Sequence, residues 1–433
     1  MEILALGEKI KRRRKELNMT LKDLAGDRIT PGQISLVESG RSNPSMDLLE
    51  YLAGELQTSV EYLMESEETQ AEKISIYYEQ MAEAYILAGD YFSGEKYIEN
   101  ALYYVEKYNL DYRKAKILYL RAQIYMAKGE FTIAQQFFLT ANVIFIKNNN
   151  YEEIINTFLN LGKITLKLKA YHSANSYLSQ AEKVYLDNNI GDDSLLGEIY
   201  YYMAESYYRT ENMKKAIDYS FLAKSKFEQV NNKEEYAKTL LLISEEYNAK
   251  GDLANAIKYS QKTLEVYKEL EQLNNISEIE NNLGKLFYRF ENIEESFKHY
   301  EIAKDIRMRR KDTKLISTLI NMCENYIKIK DIKKCEELLN EIKLYLKDED
   351  IKNLVEINIL WYRVHMINDK LKDAEYVLLD TYEIAKVNSL YQQAGQIAIM
   401  IGKFYIDNKR DIEAAKYLDE GISIFKEIGI LRN

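Results

Sequence analysis

NNLGKLFYRFENIEESFKHY, residues 281–300, holds the pattern on which the fold turns. Gly284, a small residue, is followed three positions later by a ring, Phe287, and twelve positions later by a second small residue, Ser296. The spacing recurs with a period of about 40 residues. Ala82, Ala122, Gly162, Ala204, Ser244, Cys323 and Gly402 fill the first small slot. Tyr85, Tyr125, Thr165, Tyr207, Tyr247, Tyr326 and Tyr405 fill the bulky slot, and Gly94, Ala134, Ala174, Ala216, Ala256, Cys335 and Ala414 the second small slot. Two helices of a hairpin approach closely only where side chains are short, so this ladder predicts stacked helix pairs. About nine can be phased; the eighth, around residues 361–381, is the weakest, with Tyr362 where a small residue belongs.

Composition agrees with an all-α chain. Among 433 residues there are 2 prolines and 17 glycines, with 46% hydrophobic and 30% charged residues. Both prolines, Pro31 and Pro44, precede the repeats. No apolar run reaches the length of about 18 residues that a membrane helix needs, and residues 1–15 are too charged for a signal peptide. The expectation is a cytoplasmic protein with no membrane contact. Net charge is −10, but residues 7–45 carry nine Lys or Arg against five Asp or Glu. Contact with nucleic acid is therefore expected only at the N-terminal end.

Cys323 and Cys335 are the only cysteines and occupy the two small slots of one repeat, which reads as two buried small hydrophobes, with a redox-sensitive pair as the alternative. His172, His299 and His365 fall at unrelated phases, and no metal-ligand spacing, phosphate-cradling glycine loop or nucleophile–base pair stands out. No cofactor, metal or catalytic residue is expected, and the chain does not read as an enzyme.

Ahead of the repeats, Leu6, Ile10 and Leu17 set an apolar stripe on a first helix rich in Lys and Arg. Thr20-Leu-Lys-Asp23 is a capping box that opens a short second helix, and residues 26–28 make a turn. Thr30-Pro31-Gly32-Gln33 opens a third helix with a hydroxyl cap, proline at the first helical position and Gln three residues after the cap. Ile34 and Val37 point inward; Ser45 caps a fourth helix through Leu48, Leu49, Leu52 and Leu56. The basic run at residues 9–15 reads either as a solvated helix face or as phosphate contacts. The polar, acidic stretch ESEETQ, residues 65–70, marks the junction. The expected organisation is a five-helix helix-turn-helix domain at 1–64, a linker at 65–74 and helical repeats at 75–433.

ISLVESGRSNPSMDLLEYLA (34–53), preceded by TLKDLA (20–25), resembles the phage-repressor-type helix-turn-helix fold. The resemblance implies that the third helix enters the major groove of double-stranded operator DNA. Pro31, Gly32, Gln33, Ser35 and Leu36 then stand at base edges, Gln33 suited to adenine and Leu36 or Pro31 to a thymine methyl. Lys22, Arg28, Thr30, Arg41 and Asn43 are the phosphate candidates. An interior ion pair of Arg14 with Glu38 is implied as well. The family often has Gln just after the cap of its second helix; here Leu21 stands there.

The repeats resemble tetratricopeptide repeats, which implies a right-handed α-solenoid whose first helices line a concave wall. Phasing puts on that wall Asn160, Lys163, Tyr202, Arg209, Glu245, Asn281, Asn282, Lys285, Arg289, Asn321 and Arg363. Asn160, Asn282 and Asn321 share one phase, and an amide matches the paired N–H and C=O of an extended peptide. Head plus array is similar to the peptide-pheromone receptors of Gram-positive bacteria often called RRNPP. That resemblance implies a homodimeric, quorum-sensing transcriptional regulator whose groove binds a short signalling peptide. The alternative is a helix-turn-helix regulator whose repeats bind a protein partner such as a response regulator.

Overall fold

A computed structural model describes residues 2–347 and 349–430, so the last three residues of the range assigned to the repeats lie outside it. Every regular element among the described residues is a helix. Five short ones come first: α1 (Leu6–Glu16), α2 (Leu21–Ala25), α3 (Pro31–Glu38), α4 (Met46–Glu55) and α5 (Val60–Met64). Nine consecutive pairs follow. In chain order they are α6 (Glu67–Leu87) and α7 (Tyr91–Lys107), α8 (Asp111–Ala127) and α9 (Phe131–Lys147), α10 (Tyr151–Lys167) and α11 (Tyr171–Asp187), then α12 (Asp193–Arg209) followed in the chain by α13 (Met213–Gln229). Next come α14 (Lys233–Lys250) with α15 (Leu253–Glu269), α16 (Leu273–Arg289) with α17 (Ile293–Arg310), and α18 (Leu315–Lys328) with α19 (Ile332–Ile342). The last are α20 (Ile351–Ile367) with α21 (Leu371–Val387) and α22 (Tyr391–Asp407) with α23 (Asp411–Glu427). The chain forms two compact units, residues 1–212 and 213–433. The first holds the five head helices and α6–α12, the second α13–α23, so that α12 and α13, though consecutive, belong to different units; within each unit the paired helices form tetratricopeptide-like hairpins.

The close approach at the small slots is visible atom by atom. A Cβ added to Gly162 would lie 2.6 Å from Leu178, and one added to Gly402 would lie 2.6 Å from Leu418. The bulky slot pairs with a ring on the second helix: Tyr85 with Tyr97 at 5.3 Å, Tyr125 with Phe137 at 5.6 Å, and Tyr247 with Tyr259 at 5.7 Å. Such stacking adds about 0.5–1.5 kcal/mol per pair beyond buried area. These tyrosines serve the hairpin cores.

Seven residues after the first small slot, the chain turns through one left-handed residue in every pair. Gly89, Gly129, Lys169, Glu211, Gly251, Glu291, Lys330, Asp369 and Lys409 all have φ between 57° and 85°. The weak eighth repeat obeys the rule: Asp369 turns it, Ala374 is buried at its second small slot, and Tyr362 stays half-buried with its ring edge-on to Phe404. Cys323 and Cys335 are buried free thiols, with the Cys335 Sγ 3.8 Å from the carbonyl oxygen of Cys323. The hydrogen bond with Cys335 and burial together push the Cys323 thiol up from its ordinary range.

One boundary differs from expectation. Residues 67–74 are not a linker but the first two turns of α6. The Ser66 hydroxyl caps the helix by accepting from the Thr69 N–H at 3.1 Å, and Glu67 and Glu68 complement its positive end. Ala71, Ile74 and Ser75 are already buried.

Candidate functional site

The head is built around Ile10, Leu24, Ala25, Ile34, Val37, Leu49, Leu52, Ala53, Leu56 and Leu63. Burying Ile34 and Val37 on α3 turns Pro31, Gly32, Gln33, Ser35 and Leu36 outward, and all five are exposed. Thr30 caps α3, and Gln33 closes the box. The Gln33 Oε1 accepts from the Thr30 N–H at 3.0 Å and from the Thr30 hydroxyl at 3.3 Å. Two N–H donors on Nε2 remain, with no acceptor among the described residues. Paired reading of adenine needs both ends of the amide. In this geometry the Oε1 is engaged by Thr30, and an adenine contact through both ends of the amide needs the Gln33 side chain to leave the cap.

Lys22, Arg28, Arg41 and Asn43 are exposed around α2, α3 and the loop that follows, and none of the three cations has an ion pair among the described residues. Arg28 lies 5.4 Å from the centre of the Tyr51 ring, which restrains its guanidinium without neutralising it.

The basic run of α1 has another task. Lys9, only 1% exposed, donates to the carbonyl oxygens of Tyr62 and Glu65, each at 2.7 Å. Arg13 donates to the Leu56 carbonyl oxygen at 2.9 Å, just beyond the end of α4. Arg14 grips Glu38 through two bonds of 2.6 and 2.9 Å and donates to the Met19 carbonyl oxygen at 2.9 Å. Three of the cations that read as a helix face or phosphate contacts thus fasten α1 to the ends of other helices. Gly7 allows the approach, since a Cβ there would meet the Val37 and Glu38 carbonyl oxygens at 2.5 Å. The Arg14–Glu38 pair is nearly buried, so losing one partner costs about 3–5 kcal/mol.

Leu4 and Gln70 tie the head to α6. The Leu4 N–H donates to the Gln70 Oε1 at 3.1 Å, and the Gln70 Nε2 donates back to the Leu4 carbonyl oxygen at 2.9 Å. Reading the sequence missed Lys9 and Gln70 because their partners are main-chain atoms more than 50 positions away.

In the first unit, a cavity of about 540 Å³ is lined by Lys163, Lys167, Lys169, Tyr202, Glu205 and Arg209, among others. Lys163 pairs with Glu198 at 2.5 Å and sits 5.0 Å from the centre of the Tyr202 ring. Asn160 is engaged: its Nδ2 donates at 2.8 Å to the hydroxyl of Tyr119, which burial pushes up to about 12.

In the second unit, a cavity of about 350 Å³ brings together Glu245, Asn248, Asn282, Lys285 and Arg289. Arg289 is bonded to the Asn248 side-chain oxygen. Asn321 donates to Asn281 at 3.2 Å, and Asn281 is only 2% exposed. Asn281 therefore stands behind the wall as a support, a correction to its placement as a contact residue. Arg363 is held by both oxygens of Glu324, at 2.5 and 2.6 Å, so its charge is already answered. Of the three equivalent amides, Asn282 alone opens onto a cavity without a hydrogen bond among the described residues.

No three His, Cys, Asp or Glu side chains among the described residues are grouped to hold a metal ion. No described helix is long and apolar enough to cross a membrane.

Residues 10–63 match the family described as Helix-turn-helix. Among solved structures, the chain is similar to the apo form of the quorum sensor NprR from B. thuringiensis, at 14% identity over 97% of this chain and 99% of that one, with a TM-score of 0.51. Aspartyl phosphate phosphatase F from Bacillus subtilis is similar at 15% identity over 83% of this chain and 95% of that one, TM-score 0.51. A signal transduction ATPase with a tetratricopeptide repeat sensor, from Pyrococcus horikoshii, is similar at 13% identity over 99% of this chain and 74% of that one, TM-score 0.54. No curated protein matches the chain. A sensor, a phosphatase and an ATPase share this repeat fold, so fold alone does not select the activity.

Proposed function

We propose that the chain is a cytoplasmic transcriptional regulator that binds operator DNA as a homodimer through α3 and answers to a short signalling peptide bound by its repeats. The observation that carries this reading is the joint. A head with an exposed reading helix has Lys9 clamped on the end of α5 and Leu4 hydrogen-bonded to Gln70 on α6, the first helix of a repeat stack that contains polar cavities. A flexible tether would let head and repeats act separately, whereas hydrogen-bonded main chain transmits a displacement of α6 to the head.

Two heads make the interface large enough for specific DNA, since one small head supplies few contacts. Asn282 is the amide best suited to a peptide backbone, with Lys285 and Glu245 beside it. The similarity of the whole chain to a quorum sensor supports the peptide reading; similarity to a phosphatase leaves a protein partner as the second reading.

Titration of the full chain with pools of short peptides, read by calorimetry and by the mobility of bound DNA, tests the proposal. Asn282→Ala is expected to weaken peptide affinity about tenfold, because a buried peptide group loses its partner. Peptides that leave both wild type and DNA binding unmoved would transfer the weight to the protein-partner reading. On the DNA side, Gln33→Ala should relax discrimination at one base pair by about 1–3 kcal/mol, while Arg41→Ala weakens all sequences alike. Equal losses on operator and random DNA for both variants would overturn that division of labour.

A further inference from the structure

We infer that the first unit's cavity is an anion subsite that takes a carboxylate of the bound ligand; this rests on the peptide reading. The charge of its wall carries the inference. Lys163, Lys167, Lys169 and Arg209 face one lining carboxylate, Glu205. Lys163 is answered by Glu198 at 2.5 Å, while Arg209 and Glu205 stand 3.9 Å apart, a loose pair. Lys167 and Lys169 are exposed and have no ion pair among the described residues. Even with Glu198 counted, the site keeps a surplus of positive charge in a chain whose net charge is −10. Local surplus against an acidic background attracts an anion and repels a cation.

The concavity matters as much as the charge. Four cations spread over an open helix face would be solvated separately, but here they border a half-open cleft of about 540 Å³, within the range of small-ligand sites. Leu166 and the Tyr202 ring give the same cavity an apolar side. A carboxylate beside an apolar or aromatic group is the chemistry that fits: the C-terminus of a peptide ending in an apolar residue, or an Asp or Glu side chain next to one. The second unit's cavity is less basic, with Lys285 and Arg289 against Glu245, and the Arg289 guanidinium already donates to the Asn248 side-chain oxygen. Arg363, neutralised by Glu324, is no competitor.

The test uses the full chain and fluorescently labelled pools of short peptides, read by anisotropy. One pool carries a fixed Glu beside a fixed Leu and a free C-terminus. A second replaces Glu by Gln, a third amidates the C-terminus, and a fourth does both. The fully acidic pool is expected to bind at least about tenfold tighter than the fully amidated Gln pool. Whichever single change removes the preference identifies which carboxylate is held. The preference should shrink as salt rises from about 50 to about 500 mM. It should vanish in the Lys167→Gln/Arg209→Gln variant, whose thermal melting stays at the wild-type value because both side chains are exposed.

Equal affinity for all four pools overturns the anion subsite and leaves the peptide reading standing. An acid preference that survives in the double variant also overturns it, by locating the anion elsewhere. Binding of no pool removes the peptide reading, and the inference falls with it.

Discussion

Glu246 lies on α14 with no solvent exposure, one carboxyl oxygen on the Ser220 hydroxyl at 2.8 Å and the other without a hydrogen bond among the described residues. Burial pushes its carboxyl from the ordinary 4.5 up to about 8, with the Ser220 bond acting in the opposite direction. The folded chain thus keeps a proton that the unfolded chain releases between those two values. Its contribution is intact below the unfolded value and is lost as pH rises toward 8, at up to about 1.4 kcal/mol per pH unit. Glu246→Gln keeps the shape and removes the titration. The variant should match wild type near pH 5 and exceed it near pH 8 by about 2–4 kcal/mol in urea unfolding. A difference that does not change with pH would show the carboxyl to be ionised or hydrated in the folded state.

At the scale of elements, α1 holds the head together by its cations rather than by its apolar stripe alone. Burial lowers the Lys9 ammonium below its usual range, yet Tyr62 and Glu65 occupy it with two carbonyl oxygens. Lys9→Met preserves the stem and leaves both oxygens without a donor, at about 1–3 kcal/mol each. Gln70→Ala releases the main chain of Leu4 without touching the head's core. Hydrogen exchange should report both changes as lost protection across residues 62–70, with the helices of the second unit unaffected. Unchanged protection there would mean that capping and apolar packing alone hold α5 against α6, and the joint would lose its part in signalling.

For the molecule as a whole, charge is segregated: an acidic chain carries its basic excess at one end. Three of the head's cations, Lys9, Arg13 and Arg14, are consumed in its structure, so Lys22, Arg28 and Arg41 are the phosphate contacts that remain best placed. Three neutralised phosphates per head give a slope of log affinity against log salt of about −3 for one head and about −5 for two. Measuring that slope by anisotropy on operator DNA tests the dimer and the contact set together. Arg41→Ala should flatten it by about 1 per head. A slope near −3 at saturating protein would mean that a single head binds.

What the sequence determined by itself was local and periodic. Small slots a fixed twelve residues apart encode helix hairpins, and Thr20, Thr30 and Ser45 encode helix starts through side-chain bonds that span three residues. Those signals need no distant partner, so they survive in one dimension. The start of α6 was legible at Ser66 as well, but an acidic first turn hid it among polar residues. Six of the nine hairpin turns place Lys, Glu or Asp in the left-handed region, where glycine would have announced them. Only the tertiary structure decided which charges were free. Lys9 became a buried clamp, Arg363 was neutralised by a residue 39 positions away, and Asn281 withdrew behind Asn321. Lys167 and Lys169, which phase alone did not single out, came to border a cavity. The reason is physical: a charge is spent or available according to its neighbours within a few ångströms, and in this chain those neighbours come from other helices.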